Sequence, residues 1–452
     1  MSSPAPVHLA LTRLTPSDIR ATIRDLDGRQ VVWAEFDTDD QPTRLTSASS
    51  EQLVAAASAA RARCLPLVLV LSTSGADINE GISALHAWGR VAAALTACSG
   101  VVPTAVIVSG PAVSGPALLL GIADLTVMTQ SSYAFVNGPT MVEQFTGVAI
   151  DIDELGGAAH HERFTGVATA VVADRAAAVE MVADLLSYLP DHVDAEPPRR
   201  VTDDTIDRRC PEAGELVPAS STGSYDVRQV AAAIVDDDSM LELRHRWAAN
   251  VVTAFATIDG RPVGIVANQP MILAGTLDIP ASQKAARFVA LCDAFNLPII
   301  TLVDTPGFYP GKDLEWRGMI RHGAQLVYAY ARATVPRICV ILRKSYGGAY
   351  IVMDSKTMGN DLCLAWPWAE LAVMGAGQAA AILQRRATPE ERAEFEADYA
   401  ERLLNPYVAA DRGLVDAVID PADTRIEIAA ALEVLQDKRE TLGGRKHGNS
   451  PL

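Results

Sequence analysis

The sequence has few of the features that mark metal-binding and side-chain-based catalytic proteins. Its 452 residues include six cysteines and eight histidines, but no C-x-x-C pair and no H-E-x-x-H, so neither a zinc site nor a disulfide framework is indicated. A phosphate-binding G-x-x-x-x-G-K-[ST] loop and a G-x-S-x-G nucleophile are also missing. We therefore predict no metal site, and we expect the scattered cysteines to be small core residues in a reducing, cytoplasmic environment.

Positive charge is scarce as well. The chain has 38 Lys and Arg against 55 Asp and Glu, which gives a formal charge of −17 and a pI near 4.9. No Lys/Arg-rich run offsets this balance, so the composition argues against a nucleic-acid partner. An anionic ligand would have to be held locally, by backbone N–H groups or by single basic residues.

Charged residues are absent altogether between Val91 and Ala123, a stretch long enough to span a bilayer. Pro103, Pro111 and Pro116 interrupt it, which disfavours an unbroken lipid-facing helix. The stretch is predicted to be buried helix, strand and turn, and we expect no membrane association. The first six residues also lack the basic and apolar segments of a secretory signal.

Short apolar strands alternate with helices, a pattern typical of an α/β fold. In the first half the predicted elements are strand Gln30–Phe36, a loop over Asp37–Pro42, helix Ser50–Arg63, strand Leu67–Leu71, helix Ile82–Thr96 and strand Thr104–Val108. In the second half they are strand Val263–Ala267, helix Ala281–Phe295, strand Ile299–Val303, helix Met319–Arg332, strand Ile338–Leu342 and a capped helix from Pro389 to Leu404. The Pro-, Asp- and Arg-rich segment between them predicts a connector.

The two halves also match in their letters. Leu65-Pro66 aligns with Leu297-Pro298 at an offset of 232 positions, and Ser114-Gly115 aligns with Gly347-Gly348 at an offset of 233. A period this long predicts paired domains rather than a solenoid. We predict a duplicated α/β unit with an N-terminal domain over residues 1–200, a connector over 201–224 and a C-terminal domain over 225–452.

The pair Gly347-Gly348 follows an apolar strand and opens a predicted helix. The first N–H groups of a helix have no internal partner, and glycine lets a ligand oxygen approach them closely. Such a corner can hold an oxyanion, although a Gly-Gly pair can equally be a tight turn with no chemistry. Two related corners, the first at Ser114-Gly115 and the second at Gly347-Gly348, would suit a reaction that passes through two enolate-like anions without a titrating side chain.

Several stretches of the second half resemble the carboxyltransferase (β) subunit of biotin-dependent acyl-CoA carboxylases of the actinobacterial propionyl-CoA and acetyl-CoA type. They are Leu273–Asp278, Gln283–Val289, Asp304–Pro310, Arg321–Ala324, Arg343–Tyr350 and Ala372–Ala376. The resemblance extends from about Leu65 to Ile419 and is most specific from Tyr225 onward.

The resemblance implies two tandem crotonase-like (ClpP/crotonase spiral) domains, with the acyl-CoA side in the N-terminal domain and the biotin side in the C-terminal domain. It implies a hexameric ring, homomeric or mixed with a paralogue, in which the N-terminal domain of one protomer faces the C-terminal domain of another. The chain has no biotin-carrying Met-Lys-Met motif. A biotin carboxylase/biotin carrier α subunit is therefore implied as the partner that carries biotin.

The resemblance also assigns roles to residues. Gly347 and Gly348 would stabilise the biotin oxyanion as carboxybiotin releases CO₂, and Ser114 and Gly115 would stabilise the thioester enolate. The implied product is malonyl-CoA or an alkylmalonyl-CoA. The residues expected to line the substrate are Gly75, Ala76, Ala349, Tyr350 and Ile351.

The first half departs from the family pattern at two places. Ser114 replaces a glycine, and Thr73–Asp77 stands where the family has Ser-Gly-Gly-Ala-Arg. Ile351 resembles acetyl-accepting relatives, whereas propionyl-preferring ones often have aspartate there; it would otherwise simply pack. Two alternatives stay open: a biotin-dependent decarboxylase or a carboxyltransferase with an atypical acceptor, and a degenerate structural subunit paired with an active paralogue.

Overall fold

The computed structural model describes residues 7–8, 18–36, 43–220, 222–438, 440, 442–444 and 447–451. The predicted loop Asp37–Pro42 lies outside the described residues, as does the segment Met1–Pro6. The chain forms two compact units, Met1–Pro198 and Arg199–Leu452. Each has one sheet and its own hydrophobic core.

The first unit is built on a sheet with the strand order β1-β2-β3-β5-β6-β7-β9, in which β4 pairs with β5 and β8 pairs with β6. Its strands are β1 (Val7–His8), β2 (Ile19–Leu26), β3 (Arg29–Phe36), β4 (Thr43–Leu45), β5 (Leu67–Ala76), β6 (Thr104–Val113), β7 (Leu125–Thr129), β8 (Tyr133–Phe135) and β9 (Ala170–Val172). Its helices are α1 (Ser47–Arg63), α2 (Ile82–Thr96), α3 (Leu119–Ile122), α4 (Pro139–Thr146), α5 (Ile152–Gly156), α6 (Ala158–His160) and α7 (Arg175–Leu186). Short 3₁₀ or π segments cover Ile78–Glu80, Gly115–Leu118 and His161–Thr165.

The second unit has the sheet order β10-β11-β12-β13-β14-β15-β17, and β16 pairs with β14. Its strands are β10 (Leu241–Leu243), β11 (Val251–Ile258), β12 (Arg261–Asn268), β13 (Ile299–Thr305), β14 (Arg337–Tyr346), β15 (Leu362–Ala365), β16 (Glu370–Ala372) and β17 (Ala417–Val418). Its helices are α8 (Pro211–Glu215), α9 (Val227–Ile234), α10 (Ile279–Ala294), α11 (Lys312–Trp316), α12 (Met319–Arg332), α13 (Gly347–Val352), α14 (Ala376–Leu383), α15 (Pro389–Tyr399), α16 (Pro406–Asp411) and α17 (Thr424–Val434). Short 3₁₀ or π segments cover Leu273–Gly275, Lys356–Met358, Ala400–Leu404 and Pro421–Asp423.

The duplication predicted from the letters is confirmed by the main-chain hydrogen bonds. Val32 N–H donates to Pro66 O over 2.9 Å. The same bond recurs 232 positions later, where Gly264 N–H donates to Pro298 O over 2.8 Å. In both units an antiparallel hairpin leads into parallel strands with crossover helices, so one folding plan is used twice.

The strands that carry the glycine corners change register at equivalent positions. The register of β5 against β6 shifts between Leu71 and Thr73. The register of β13 against β14 shifts between Val303 and Thr305. Beyond each shift one further pair forms, Thr73 with Ala112 and Thr305 with Ser345, before β6 and β14 end and turn into the corners. Such turns at the carboxyl edge of a parallel sheet expose main-chain N–H groups.

Two predicted helices, α2 and α12, have the bounds that periodicity gives, whereas α1 begins earlier than predicted. Its N-cap is Thr46, whose side chain accepts a hydrogen bond from Ser49 N–H, so the helix starts at Ser47 rather than Ser50. The predicted cap of the helix at Pro389 is confirmed. Thr388 and Glu391 form a reciprocal capping box there.

The structure differs from the sequence prediction for the connector over 201–224 and for Cys64. Residues 199–224 lie in the second unit, where α8 forms and Cys210, Ala213 and Val217 are buried in the core. The segment has little hydrophobic periodicity, which suggested a connector, because single buried side chains rather than an amphipathic face attach it to the core. Cys64 is exposed at the left-handed C-cap of α1 instead of lying in the core.

In the part of the chain that the structure describes, no helix combines the length and the apolar character needed to cross a bilayer. The uncharged stretch from Val91 to Ala123 forms the end of α2, strand β6, a 3₁₀ turn and α3. Its apolar residues pack into the core of the first unit.

Arg425 anchors residues 199–224 to the second unit, and its removal should destabilise that unit. It is completely buried and pairs with Asp236 at 2.7 Å and with Asp204 at 3.4 Å. Arg425→Met removes the charged partner of the buried Asp236, whereas Asp204 keeps its pair with Arg208 at 2.6 Å. We expect a loss of about 3–5 kcal/mol of unfolding free energy, measured by urea denaturation. Arg209→Met is the control, because it breaks only solvent-exposed pairs, with Asp420 and Asp423, and should change little.

Candidate active site

The second glycine corner joins β14 to α13. Gly347 has a φ of +60°, which glycine adopts without strain, and a Cβ atom there would lie 3.2 Å from Val373 O. At Gly348 a Cβ atom would meet only the Phe308 ring, at 3.6 Å. Gly348 N–H is one of the first N–H groups of α13 and has no partner within the helix, so this corner presents an accessible donor.

A second candidate donor lies in the segment that follows β13. Tyr309 N–H donates to Leu277 O over 2.9 Å. Phe308 and Leu277 form an isolated parallel bridge, in which both hydrogen bonds are made by the neighbours of Phe308, so the N–H of Phe308 points away from Leu277. The Phe308 ring lies beside Gly348, so the N–H of Phe308 is a second candidate donor at this corner, and the sequence pointed only to the glycine.

A cavity of about 550 Å³ opens beside this corner. It is lined by Gly347, Gly348, Tyr350 and Ile351 together with mainly apolar residues from β16, α15, α16 and the π segment after α15. Ala349 is completely buried and is not among the lining residues, whereas Ile351 is 40% exposed. Of the three residues of this unit predicted to line the substrate, Tyr350 and Ile351 face the cavity and Ala349 faces the core.

A buried ion pair holds the strand ends that meet at the second corner. Asp304 is completely buried and accepts hydrogen bonds from Arg343 Nε at 3.0 Å, Lys344 N–H at 3.1 Å and Tyr225 Oη at 2.9 Å. Burial, followed by the neighbouring Asp304, raises the pKa of Tyr225 well above its usual value, so its hydroxyl remains a donor. Arg343 also donates to Ser220 O at 2.8 Å, which ties residues 199–224 to this network.

The first corner has the same plan with different residues. Asp77 N–H donates to Leu45 O over 3.0 Å, so the N–H of Ala76 points to the other side of the strand, as that of Phe308 does. A Cβ atom on Gly75 would lie 3.5 Å from Ser114 Cβ, which places this strand end against the turn. The structure therefore brings Gly75, Ala76, Ser114 and Gly115 together.

Ser114 has a φ of +66°, a left-handed conformation that costs an L-residue on the order of 1–2 kcal/mol. Its own N–H donates to Phe135 O over 2.9 Å. Ser114 therefore shapes the turn and offers no free N–H group to a ligand. The donor at this turn is Gly115 N–H, at the start of the 3₁₀ segment.

The remaining polar candidates near the first corner have structural partners. Asp77 caps the 3₁₀ turn through Asn79 N–H and pairs with Arg44 at 3.4 Å. His161 Nε2–H donates to Ala134 O over 2.8 Å, which secures β8, the strand that supplies the acceptor for Ser114. Burial lowers the pKa of His161, in keeping with a neutral structural imidazole. The described residues contain no cluster of His, Cys, Asp and Glu that could hold a metal ion.

Each sheet thus ends in a glycine corner with main-chain N–H groups at the start of a helical segment. Comparison with known proteins identifies the family to which this architecture belongs. The family model described as the carboxyl transferase domain matches residues 14–450. The chain belongs to the carboxyl transferase domain family.

Relatives of this carboxyltransferase cover most of its length. It is 44% identical to the propionyl-CoA carboxylase beta chain of Saccharopolyspora erythraea, over 94% of this chain and 82% of that protein. It is 39% identical to the methylmalonyl-CoA decarboxylase subunit alpha of Veillonella parvula, over 94% of this chain and 84% of that protein.

Solved structures match the fold of this carboxyltransferase. The transcarboxylase 12S structure, described as a hexamer with methylmalonyl-coenzyme A and methylmalonic acid bound, matches with a TM-score of 0.94 at 42% identity. The match covers 96% of this chain and 85% of that one. The predicted fold, two tandem crotonase-like α/β domains, is confirmed by this match.

The space around the two second glycines of the corners differs, and this leads to a prediction for the carboxyltransferase. A Cβ atom on Gly115 would lie 2.5–2.8 Å from the indole ring of Trp88, whereas one on Gly348 would lie 3.6 Å from its nearest neighbour. Gly115→Ala should therefore lower the urea midpoint of unfolding, while Gly348→Ala should leave it close to wild type. Equal midpoints for the two variants would contradict the described packing of Trp88.

Proposed function

We propose that this carboxyltransferase moves a carboxyl group from biotin, carried on a partner subunit, to the α-carbon of a short acyl-CoA. The product is malonyl-CoA or an alkylmalonyl-CoA. The observation that supports this most is the pair of duplicated corners, because the reaction passes through two oxyanions and each corner carries main-chain N–H groups that can stabilise one. Preorganised donors of this kind are often the largest single catalytic contribution.

The second corner fits biotin. A neutral cyclic urea needs N–H donors for its oxygen and an apolar wall for its ring. The N–H groups of Gly348 and Phe308 are the proposed donors, and the mainly apolar lining of the 550 Å³ cavity is the proposed wall. When bound, biotin supplies the carboxyl group that is transferred. Gly347 shapes the turn through its left-handed backbone, and the Asp304–Arg343 ion pair keeps the two strand ends in register.

The first corner is proposed to take the thioester. The proton that leaves the α-carbon would pass to the biotin nitrogen that has lost its carboxyl group. Negative charge then develops on the thioester oxygen, and the N–H groups of Gly115 and Ala76 are the groups we assign to stabilise it. Gly75 and Ser114 hold these two groups in place. No carboxylate, imidazole or thiol of this chain is assigned as general base, so the chain contributes orientation and electrostatic stabilisation.

The sequence likeness to the hexameric transcarboxylase 12S supports a hexamer for this chain too. We propose a ring of identical protomers, or a mixed ring with a paralogue, in which the first unit of one protomer meets the second unit of another. A biotin carboxylase/biotin carrier α subunit completes the enzyme.

The function is tested by mixing the purified chain with a biotinylated α subunit, ATP, labelled bicarbonate and a panel of acyl-CoAs. Acid-stable label on at least one thioester is the expected result. Label on none of them would contradict the proposal. Release of CO₂ from methylmalonyl-CoA without label fixation would favour a decarboxylase instead, the activity named for the Veillonella parvula relative.

Ile351 should influence the length of the accepted acyl chain, because it is 40% exposed and lines the cavity beside Gly347, which in the proposed ring faces the thioester corner of a neighbouring protomer. Ile351→Asp shortens this wall and makes room for one more methylene, which is worth about 10–200-fold in discrimination. We expect the ratio of kcat/KM for propionyl-CoA over acetyl-CoA to rise at least tenfold. Ile382→Asp, on the exposed face of α14, is the control and should leave the ratio unchanged.

A further inference from the structure

We propose that Trp88 is a positioning residue of the first corner, whose indole holds the peptide between Ser114 and Gly115 so that Gly115 N–H faces the thioester oxygen. This inference rests on the proposed function. It concerns a residue on helix α2, outside the corner's own strand and turn. The observation that carries it is the position of the ring: Nε1, Cε2 and Cζ2 all lie 2.5–2.8 Å from where a Cβ atom of Gly115 would be.

The orientation of Gly115 N–H is set by one peptide plane, which also contains Ser114 C=O. That carbonyl accepts a hydrogen bond from Ala117 N–H over 3.0 Å. On the other side of Ser114, its N–H donates to Phe135 O over 2.9 Å. The two bonds fix the ends of the turn, and the indole closes the remaining direction by covering Gly115.

The turn needs this support because Ser114 lies at a φ of +66°. A serine prefers negative φ, and relaxation toward negative φ would rotate the peptide that follows it and carry Gly115 N–H out of position. A ring packed against Gly115 resists that rotation, since it leaves no space into which the chain can move. The strain at Ser114 and the contact at Gly115 are thus coupled.

The second corner supports this reading by contrast. There the first position is Gly347, which needs no restraint at positive φ, and the space beside Gly348 holds only the edge of the Phe308 ring, at 3.6 Å. Phe308 extends from the strand end, where the first unit has the small residue Ala76. An aromatic ring thus flanks the second glycine of both corners, but only in the first does it come from a helix and press closely.

The test uses the assembled enzyme and two substitutions at Trp88. Trp88→Ala removes the ring, and we expect kcat for acyl-CoA carboxylation to fall by up to about 10²-fold while KM stays nearly constant, because a misplaced donor weakens the transition state more than substrate binding. Trp88→Phe retains a ring and should keep most of the rate. Leu85→Ala, an exposed position on the same helix, is the matched control and should behave as wild type.

The double variant of Trp88 and Ser114 tests the proposal most directly. In a Trp88→Ala background, Ser114→Gly should restore part of kcat, because glycine keeps the left-handed turn without the indole. A rise in KM with unchanged kcat would overturn the proposal, since the ring would then contact the acyl group rather than hold the turn. Strictly additive effects of the two substitutions on kcat would overturn it as well.

Failure of the proposed function can be separated from failure of this inference. If the wild-type enzyme carboxylates no acyl-CoA, the same four proteins, wild type, both single variants and the double variant, are compared by urea denaturation. Non-additive shifts of the midpoint would support the role of Trp88 in holding the turn although the reaction was wrongly assigned. Additive shifts would overturn the role of Trp88 whatever the reaction is.

Discussion

The register shift between two paired parallel strands is the constraint on which the rest of the structure depends. Up to Leu71 and Val303 these strands pair in regular register, and beyond the shift each pair of strands has one further match, Thr73 with Ala112 and Thr305 with Ser345. Main-chain donors past these matches are no longer paired between the two strands. A buried orphan donor is costly, so these ends are stable only where a turn, a side chain or a ligand accepts the bond.

The two units solve the problem of holding the strand ends in different ways. In the second unit the buried charges of Asp304 and Arg343 bridge the strand ends, with Tyr225 as a further donor. In the first unit Gly110 lies directly against Ser72, with room for no side chain on the glycine. The first unit instead relies on apolar contact from Trp88. The corner of the second unit is thus supported by an ion pair, and the corner of the first unit by side-chain packing.

Much of this architecture could be predicted from the sequence. The bounds of α2 and α12 followed from periodicity, and the duplication followed from the Leu-Pro and Gly pairs, because these letters mark positions that both units need. The donors at Ala76 and Phe308 could not be predicted, since which N–H groups face a corner depends on strand register. Trp88 was missed for a related reason: its contact with Gly115 joins residues 27 positions apart on different elements. The sequence did hold a signal for the donors at Ala76 and Phe308. Thr73 and Gly75, which precede Ala76 and Asp77, repeat as Thr305 and Gly307, which precede Phe308.

The contact between Trp88 and Gly115 means that the presence of glycine at this position does not by itself indicate a retained activity. Gly115 would be retained by selection for packing alone, even in a copy that had lost its chemistry, because any larger residue collides with the indole. Ser114 is exposed and its side chain meets no such steric barrier, so a substitution of glycine by serine is tolerated at this position. At Gly347 a Cβ atom would approach Val373 O to 3.2 Å, and the same substitution would be opposed on both steric and conformational grounds. The divergence of the two halves at this position therefore follows from local crowding, and a lost glycine in the first half is weak evidence for a lost activity.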